Sequence, residues 1–224
     1  MAVYIGDIRI DRVAIIDDMP DSRDTLNYEL QDGNLNPFPL DGQYDNVEQI
    51  LKVIEEGKCD SAVSDHQLIQ GNLAPCYGAD IISQLYHKCI PGVLITRWNE
   101  PEYLYIREHR RYIPKILTQD DAYIDNIITG FELCISEFKQ QYKPSRKPWK
   151  TLIIIERIVA EGKHKMIDAL IPAWDPKHYL RFLARSIPDD LQEYVKEGSM
   201  FFAKVNLGAE VATELYLVEF EYRK

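Results

Sequence analysis

Three carboxylates, a hydroxyl and an amine stand at or near the ends of short apolar runs in this chain. Asp17 and Asp18 close RVAII (12–16), Asp65 closes CDSAVS (59–64), Thr96 ends PGVLIT (91–96), and Lys115 lies near the end of RRYIPKIL (110–117). In an open α/β sheet, function gathers at the carboxyl ends of the strands. If each run is a strand of one such sheet, these side chains share a rim. Close carboxylates repel one another, so one stays protonated unless a cation sits among them. Oxygen donors select a hard cation, and Mg²⁺ suits the set because it accepts few carboxylates and keeps its waters. The metal could neutralise a phosphoryl group arriving on one carboxylate. Lysine pairs with phosphate as a point charge, and a threonine hydroxyl can donate to its oxygens.

The surrounding segments supply the elements such a rim needs. Pro20 opens a helical pattern through Leu26 and Leu30 that ends at Gly33-Asn34, and Val47, Ile50, Leu51 and Ile54 keep helical spacing up to Gly57. Residues 36–40 read weakly as a proline-broken strand. Helices are predicted over about 78–88, 100–109 and 120–142, the last with Ile124, Ile127, Ile128, Phe131, Leu133, Ile135 and Phe138 on its core face. The order is β-α five times, which argues for a parallel sheet covered by helices.

The character then changes. KQQYKPSRKPWK (139–150) holds five Lys or Arg, two prolines and no acid, and 143–150 reads as a basic linker. After Thr151 about five β-like runs follow, with DDLQEYV (189–195) as a short helix, so a small all-β barrel or sandwich is expected over 151–224. The division expected is 1–142, 143–150 and 151–224.

Composition narrows the function classes. The 224 residues carry a net charge of −10, which disfavours general binding to a phosphate backbone. Cys59, Cys76, Cys89 and Cys134 form no CxxC pair and have no histidines at zinc spacing. No apolar run reaches membrane-spanning length and no signal-peptide core is visible, so a cytoplasmic protein with no membrane partner is expected.

The residues IIDD (15–18), VSDHQL (63–68), VLIT (93–96) and YIPK (112–115), in that order on successive β-α units, resemble the response-regulator receiver family over roughly residues 10–142. The resemblance implies a flavodoxin-like doubly wound sheet of strand order 2-1-3-4-5, which places the first and third strands side by side. It implies Asp65 as phosphoacceptor and Mg²⁺ held by Asp17, Asp18, Asp65 and the backbone carbonyl of Gln67. Thr96 and Lys115 would grip the phosphoryl group, with Tyr112 as the switch that follows Thr96. It further implies two-component signalling, with catalysis limited to self-catalysed phosphotransfer and dephosphorylation. The partners implied are a histidine kinase or other phosphodonor and a downstream protein; a homodimer stays open. Three departures stand out: Arg97 follows Thr96 where the family has a small residue, making it a candidate modulator; Pro114 precedes Lys115 rather than following it; and the loop after Asp65, IQGNLAPCYGAD, is long. Trp98 is placed to report a filled site by fluorescence.

The β-rich segment carries 10 Lys or Arg against 12 Asp or Glu and matches no motif. A protein-interaction domain is the first reading. The alternatives are a receiver-like adaptor that is never phosphorylated and a nucleic-acid-binding regulator charged by Lys163, His164, Lys165, Lys177, Arg181 and Arg185.

Overall fold

The computed structural model describes residues 2–97, 100–162 and 164–223, with the side chains of 100–103 and 161 outside the description. In chain order the elements are β1 (Val3–Ile5), β2 (Ile8–Ile10), β3 (Arg12–Ile16), α1 (Pro20–Asp32), β4 (Asn36–Pro39), α2 (Val47–Glu56), β5 (Ser61–Asp65), α3 (Gly78–His87), β6 (Gly92–Ile95), α4 (Glu100–His109), β7 (Ile116–Leu117) and α5 (Ile124–Phe138). Five strands complete the chain: β8 (Trp149–Glu161), β9 (His164–Ile171), β10 (Asp175–Leu183), β11 (Met200–Val205) and β12 (Leu217–Tyr222). They form two compact units. The first runs to the end of β6 and resumes at Tyr112 through α5; the second takes α4 with Arg110 and Arg111, and everything from Tyr142 on.

In the first unit β4-β3-β5-β6-β7 form one parallel sheet, the 2-1-3-4-5 order that the resemblance implied. Strands covered on both faces read as unbroken apolar runs, and β3, β5 and β6 are buried almost throughout. β4 tolerates Pro37 and Pro39 because it is an edge strand. Leu26 and Leu30 of α1 and Ile127, Phe131 and Ile135 of α5 close a core over Val13, Ile15, Val63 and Val93. On α2, Asn46 caps the helix by accepting from Gln49 N–H, and Ile50 and Ile54 are buried. The hairpin β1–β2, not foreseen from sequence, lays Val3, Ile5 and Ile8 against the α1/α5 core. Three-residue strands carry too little pattern to be read in isolation.

Two further differences concern β7 and α5. The strand expected over 110–117 is only Ile116–Leu117; residues 110–112 form a 3₁₀ turn instead. Pro114 has no N–H for a ladder, so pairing starts after it. The last helix begins at Ile124, after a separate 3₁₀ turn at Gln119–Asp121 capped by Thr118.

The second unit is a five-stranded antiparallel sheet of order β10-β9-β8-β11-β12. The five expected strands are present. Among the described residues their order is open, with β10 and β12 at the edges, and 189–194 is a 3₁₀ turn. Alternate residues such as Ile153, Ile155, Ile167, Ala169, Phe182, Phe201 and Ala203 face one core, closed by Ile187, Val195 and Leu215. Residues 143–150, expected as a tether, are built into this unit. Arg146 is 5% exposed and donates to the carbonyls of Arg110 and Arg111, and Trp149 and Lys150 already pair with β11. A basic run looks solvated in sequence because nothing local reveals which carbonyls its guanidinium will meet.

Asn206 fastens this arrangement. Fully buried, it donates to Ser145 O and Glu214 O and accepts from Tyr216 N–H. Asn206→Ala leaves three buried polar groups short of a partner, so a loss of about 2–4 kcal/mol is expected. The denaturant midpoint of the full chain is the measurement; a change under about 0.5 kcal/mol, the range of an ordinary surface substitution, would remove Asn206 from this role.

Candidate functional site

Sheet register sets which residues share the rim. Ile16 pairs with Ser64, so Asp17 stands level with Asp65; Asp65 pairs with Ile95, and Ile95 with Leu117. Thr96 N–H donates to Leu117 O at 2.9 Å, which puts Thr96 beside Thr118. Asp17, Asp18, Asp65 and Thr96 are thus brought together, all between 1% and 8% exposed.

Burying carboxylates side by side raises their affinity for protons. Asp65 is pushed up to about 7, first by burial and then by the charges of Asp17 and Asp18, against a lowering by Gln67 N–H. Asp17 is raised to about 6, chiefly by burial, with Met19 N–H, Arg23 and Arg97 pulling it down. Each carboxylate is held by a backbone amide. Met19 N–H donates to Asp17 at 2.8 Å, Gln67 N–H to Asp65 at 2.8 Å and Gly71 N–H to Asp18 at 2.5 Å. Arg23 donates to Asp17 O.

Two glycines bring the β5–α3 loop onto this rim. A Cβ on Gly71 would lie 2.2 Å from Asp18 O, and one on Gly78 would lie 1.9 Å from Asp65 O. Gly78 N–H donates to His66 O, and Gln67 and Tyr77 form a β-bridge across the loop's neck. The loop's length was legible in sequence. Its function as a clasp on Asp18 was not, because that contact spans 53 residues of separation.

Lys115 and Tyr112 do not stand level with the rim residues. Lys115 precedes β7, two residues below the level of Leu117, which is about 7 Å along a strand. Its Cβ and Cγ lie against Gly130 of α5. The short β7 slips the expected alignment by three residues, so Thr118 takes the rim position and Lys115 the place expected for Tyr112. Thr118 Oγ donates to Asp121. The Tyr112 ring lies tilted against His87, centroids 4.2 Å apart; His87 is the last residue of α3, about 14 Å of helix from Gly78 at the rim. Arg97 is exposed and follows Thr96; its charge and that of Arg23 are the cations that bear on Asp17. Arg23, Gly71 and Gly78 were missed as site residues. A glycine opening a helix, as Gly78 does, is the one local signal that pointed to a close approach.

The donor set fits a hard cation in kind: carboxylate oxygens whose mutual repulsion a divalent ion relieves. Among the described residues no three His, Cys, Asp or Glu side chains are already grouped for a metal. The ion this set suits takes one or two carboxylates and keeps its waters.

Of the basic residues named for nucleic-acid contact, Lys165 and Lys177 are exposed, while two arginines are held in ion pairs. Arg181 pairs with Asp168 at 2.7 Å and Arg185 with Glu108 at 2.7 Å. Trp98 and Lys163 lie outside the described residues. No described helix is long and apolar enough to cross a membrane.

No family model matches the sequence, and no curated protein matches it significantly. Among solved structures, the chain is similar to the signal receiver domain of an HD domain-containing protein from Pseudomonas fluorescens Pf-5, at 13% identity and a TM-score of 0.45 over 60% of this chain and 96% of that one. It is similar to the response regulator TrrA from Thermotoga maritima in complex with Mg²⁺-BeF, at 18% identity and a TM-score of 0.38, over 49% of this chain and 86% of that one. It is also similar to a response regulator receiver domain protein from Clostridium thermocellum, at 12% identity and a TM-score of 0.42, over 58% of this chain and 98% of that one. These structures are receiver domains, each matching about half to three fifths of the chain, and the rest of the chain is unrecognised.

Proposed function

We propose that this chain is a two-component-type response regulator in which Asp65 accepts a phosphoryl group. The observation that carries the reading is the register-level meeting of Asp17, Asp18, Asp65 and Thr96 at the carboxyl rim of a 2-1-3-4-5 sheet. Asp17, Asp18, Asp65 and the Gln67 carbonyl would hold Mg²⁺. When bound, the ion supplies the positive charge that lets two anions approach each other. Asp65 presents a carboxylate oxygen as nucleophile while Gln67 N–H fixes its orientation. The Thr96 hydroxyl would donate to a phosphoryl oxygen. Arg97, beside Thr96 at the rim, is the better placed cation for this role than Lys115. A histidine kinase or other phosphodonor would supply the group, and the second unit would carry the output to a downstream protein.

One specific observation favours the adaptor reading instead: Gly71 N–H occupies an Asp18 oxygen. Labelling with a small phosphodonor and Mg²⁺ decides between them. The expected result is label on wild type and none on Asp65→Asn, with Arg97→Ala slowing labelling at least tenfold and Lys115→Ala changing it less than threefold. Equal label on wild type and Asp65→Asn removes the phosphoacceptor assignment, and a chain that never labels is the adaptor.

A further inference from the structure

We infer that the C-terminal β unit is a receptor for helix α4 of its own chain, so that its partner surface is already filled by a segment encoded within the receiver-like region. α4 lies in sequence between β6 and β7, yet it is a member of the second unit. None of its residues joins the α1/α5 core of the first unit among the described residues.

The contacts of α4 are those of a built interface. Arg107 is 5% exposed and donates to Arg181 O at 2.8 Å and Ala212 O at 2.9 Å. β10 is a sheet edge, where backbone carbonyls need donors from outside the ladder. A charged donor meeting two carbonyls in a buried place makes stronger bonds than neutral groups do. Next to it, Arg185 makes a bidentate pair with Glu108, at 2.9 and 2.7 Å, and lies over the Tyr105 ring. The Tyr105 hydroxyl meets His164 Nε2 at 2.9 Å, at the β8–β9 tip. Ile106 between them is 1% exposed. Tyr105, Arg107 and Glu108 of α4 therefore engage β10, the 184–186 turn, the β8–β9 tip and the 212–214 turn. Arg146 then fixes the helix's far end through the Arg110 and Arg111 carbonyls, and Tyr216 Oη donates to Arg146 O.

The consequence rests on the phosphoacceptor reading. Only residues 97–99 separate Thr96 from α4 in sequence. A rearrangement at Thr96 must be absorbed by those residues or passed to the docked helix. The β unit would thus sense the acidic site by how firmly it holds α4.

Amide exchange on the full chain, followed over residues 104–111 and 181–185, tests the receptor. Arg107→Ala is expected to speed exchange at least tenfold in both segments. Glu108→Arg, at a partly buried carboxylate, and Arg185→Glu, at an exposed guanidinium, are each expected to speed it about threefold, and the double exchange of charges to restore it. If Arg107→Ala does not fold, the charge exchange decides alone. Unchanged exchange in both single variants, or no restoration in the double, overturns the receptor. Beryllofluoride with Mg²⁺ tests the consequence: α4 protection is expected to change in wild type and not in Asp65→Asn. If Asp65 labels yet α4 protection does not move, the coupling is overturned. If Asp65 never labels, the phosphoacceptor reading falls while the charge-exchange result still judges the docking.

Discussion

Asp65→Asn is expected to raise the melting temperature of the metal-free protein by about 5 °C at pH 8 and to leave it nearly unchanged at pH 4. The carboxyl titrates near 7 in the folded chain against an ordinary 3.8, with burial as the leading cause. The folded state therefore holds the proton more tightly than the unfolded state. Above about pH 7 the ionised group costs its full destabilisation. That cost shrinks as pH falls from about 7 and is gone below 3.8, where both states are protonated. The shift sets an upper bound of about 4 kcal/mol. Solvent relaxation and the retained Gln67 N–H bond reduce the expected gain to about 2 kcal/mol. Mg²⁺ should reverse the order. At a hundred times its Kd it adds about 2.7 kcal/mol to a protein that binds it, and the asparagine variant should gain far less. Calorimetry with chelator and with Mg²⁺, at pH 4 and pH 8, reads all four values. A variant less stable than wild type at pH 8 in chelator would show that the buried charge is compensated in the fold.

Gly78→Ala is the second large effect, expected to cost about 2–3 kcal/mol and to slow any labelling of Asp65 about a hundredfold. Intrinsic propensity predicts the opposite sign. Alanine should favour a helix over glycine by about 0.5–1 kcal/mol, and Gly78 is the first residue of α3. The added Cβ, however, would stand 1.9 Å from Asp65 O and 2.6 Å from Ser64 Oγ. Neither atom has room to yield, because Ser64 Oγ already donates to Asp65 O. Either α3 or the end of β5 must move, and β5 carries the candidate nucleophile. Urea unfolding together with labelling kinetics separates the effects: a stabilised variant would mean the helix start shifts freely and the clasp is loose.

Local pattern carried far into this protein. The apolar runs RVAII, SAVS and VLI read as buried strands, and the proline-broken run 36–40 read only weakly as one. With helical spacing between the runs, those facts fix an α/β alternation, and each strand's end residue follows. Asp17, Asp65 and Thr96 were therefore legible as rim residues, and the five later strands were legible from alternation and turn residues.

What local pattern could not carry is register and partnership over long separations. Whether Lys115 or Thr118 stands level with the rim depends on where β7 begins to pair with β6, a question decided by Pro114 and by the packing of Lys115 against Gly130 of α5. A helix such as α4 announces itself in sequence without announcing what it will pack against. Its assignment to the β unit follows from Arg107, Glu108 and Arg146 finding carbonyls and a guanidinium tens of residues away. Such pairings are written in side chains whose local context is ordinary, because the free energy that selects them exists only once both halves are folded.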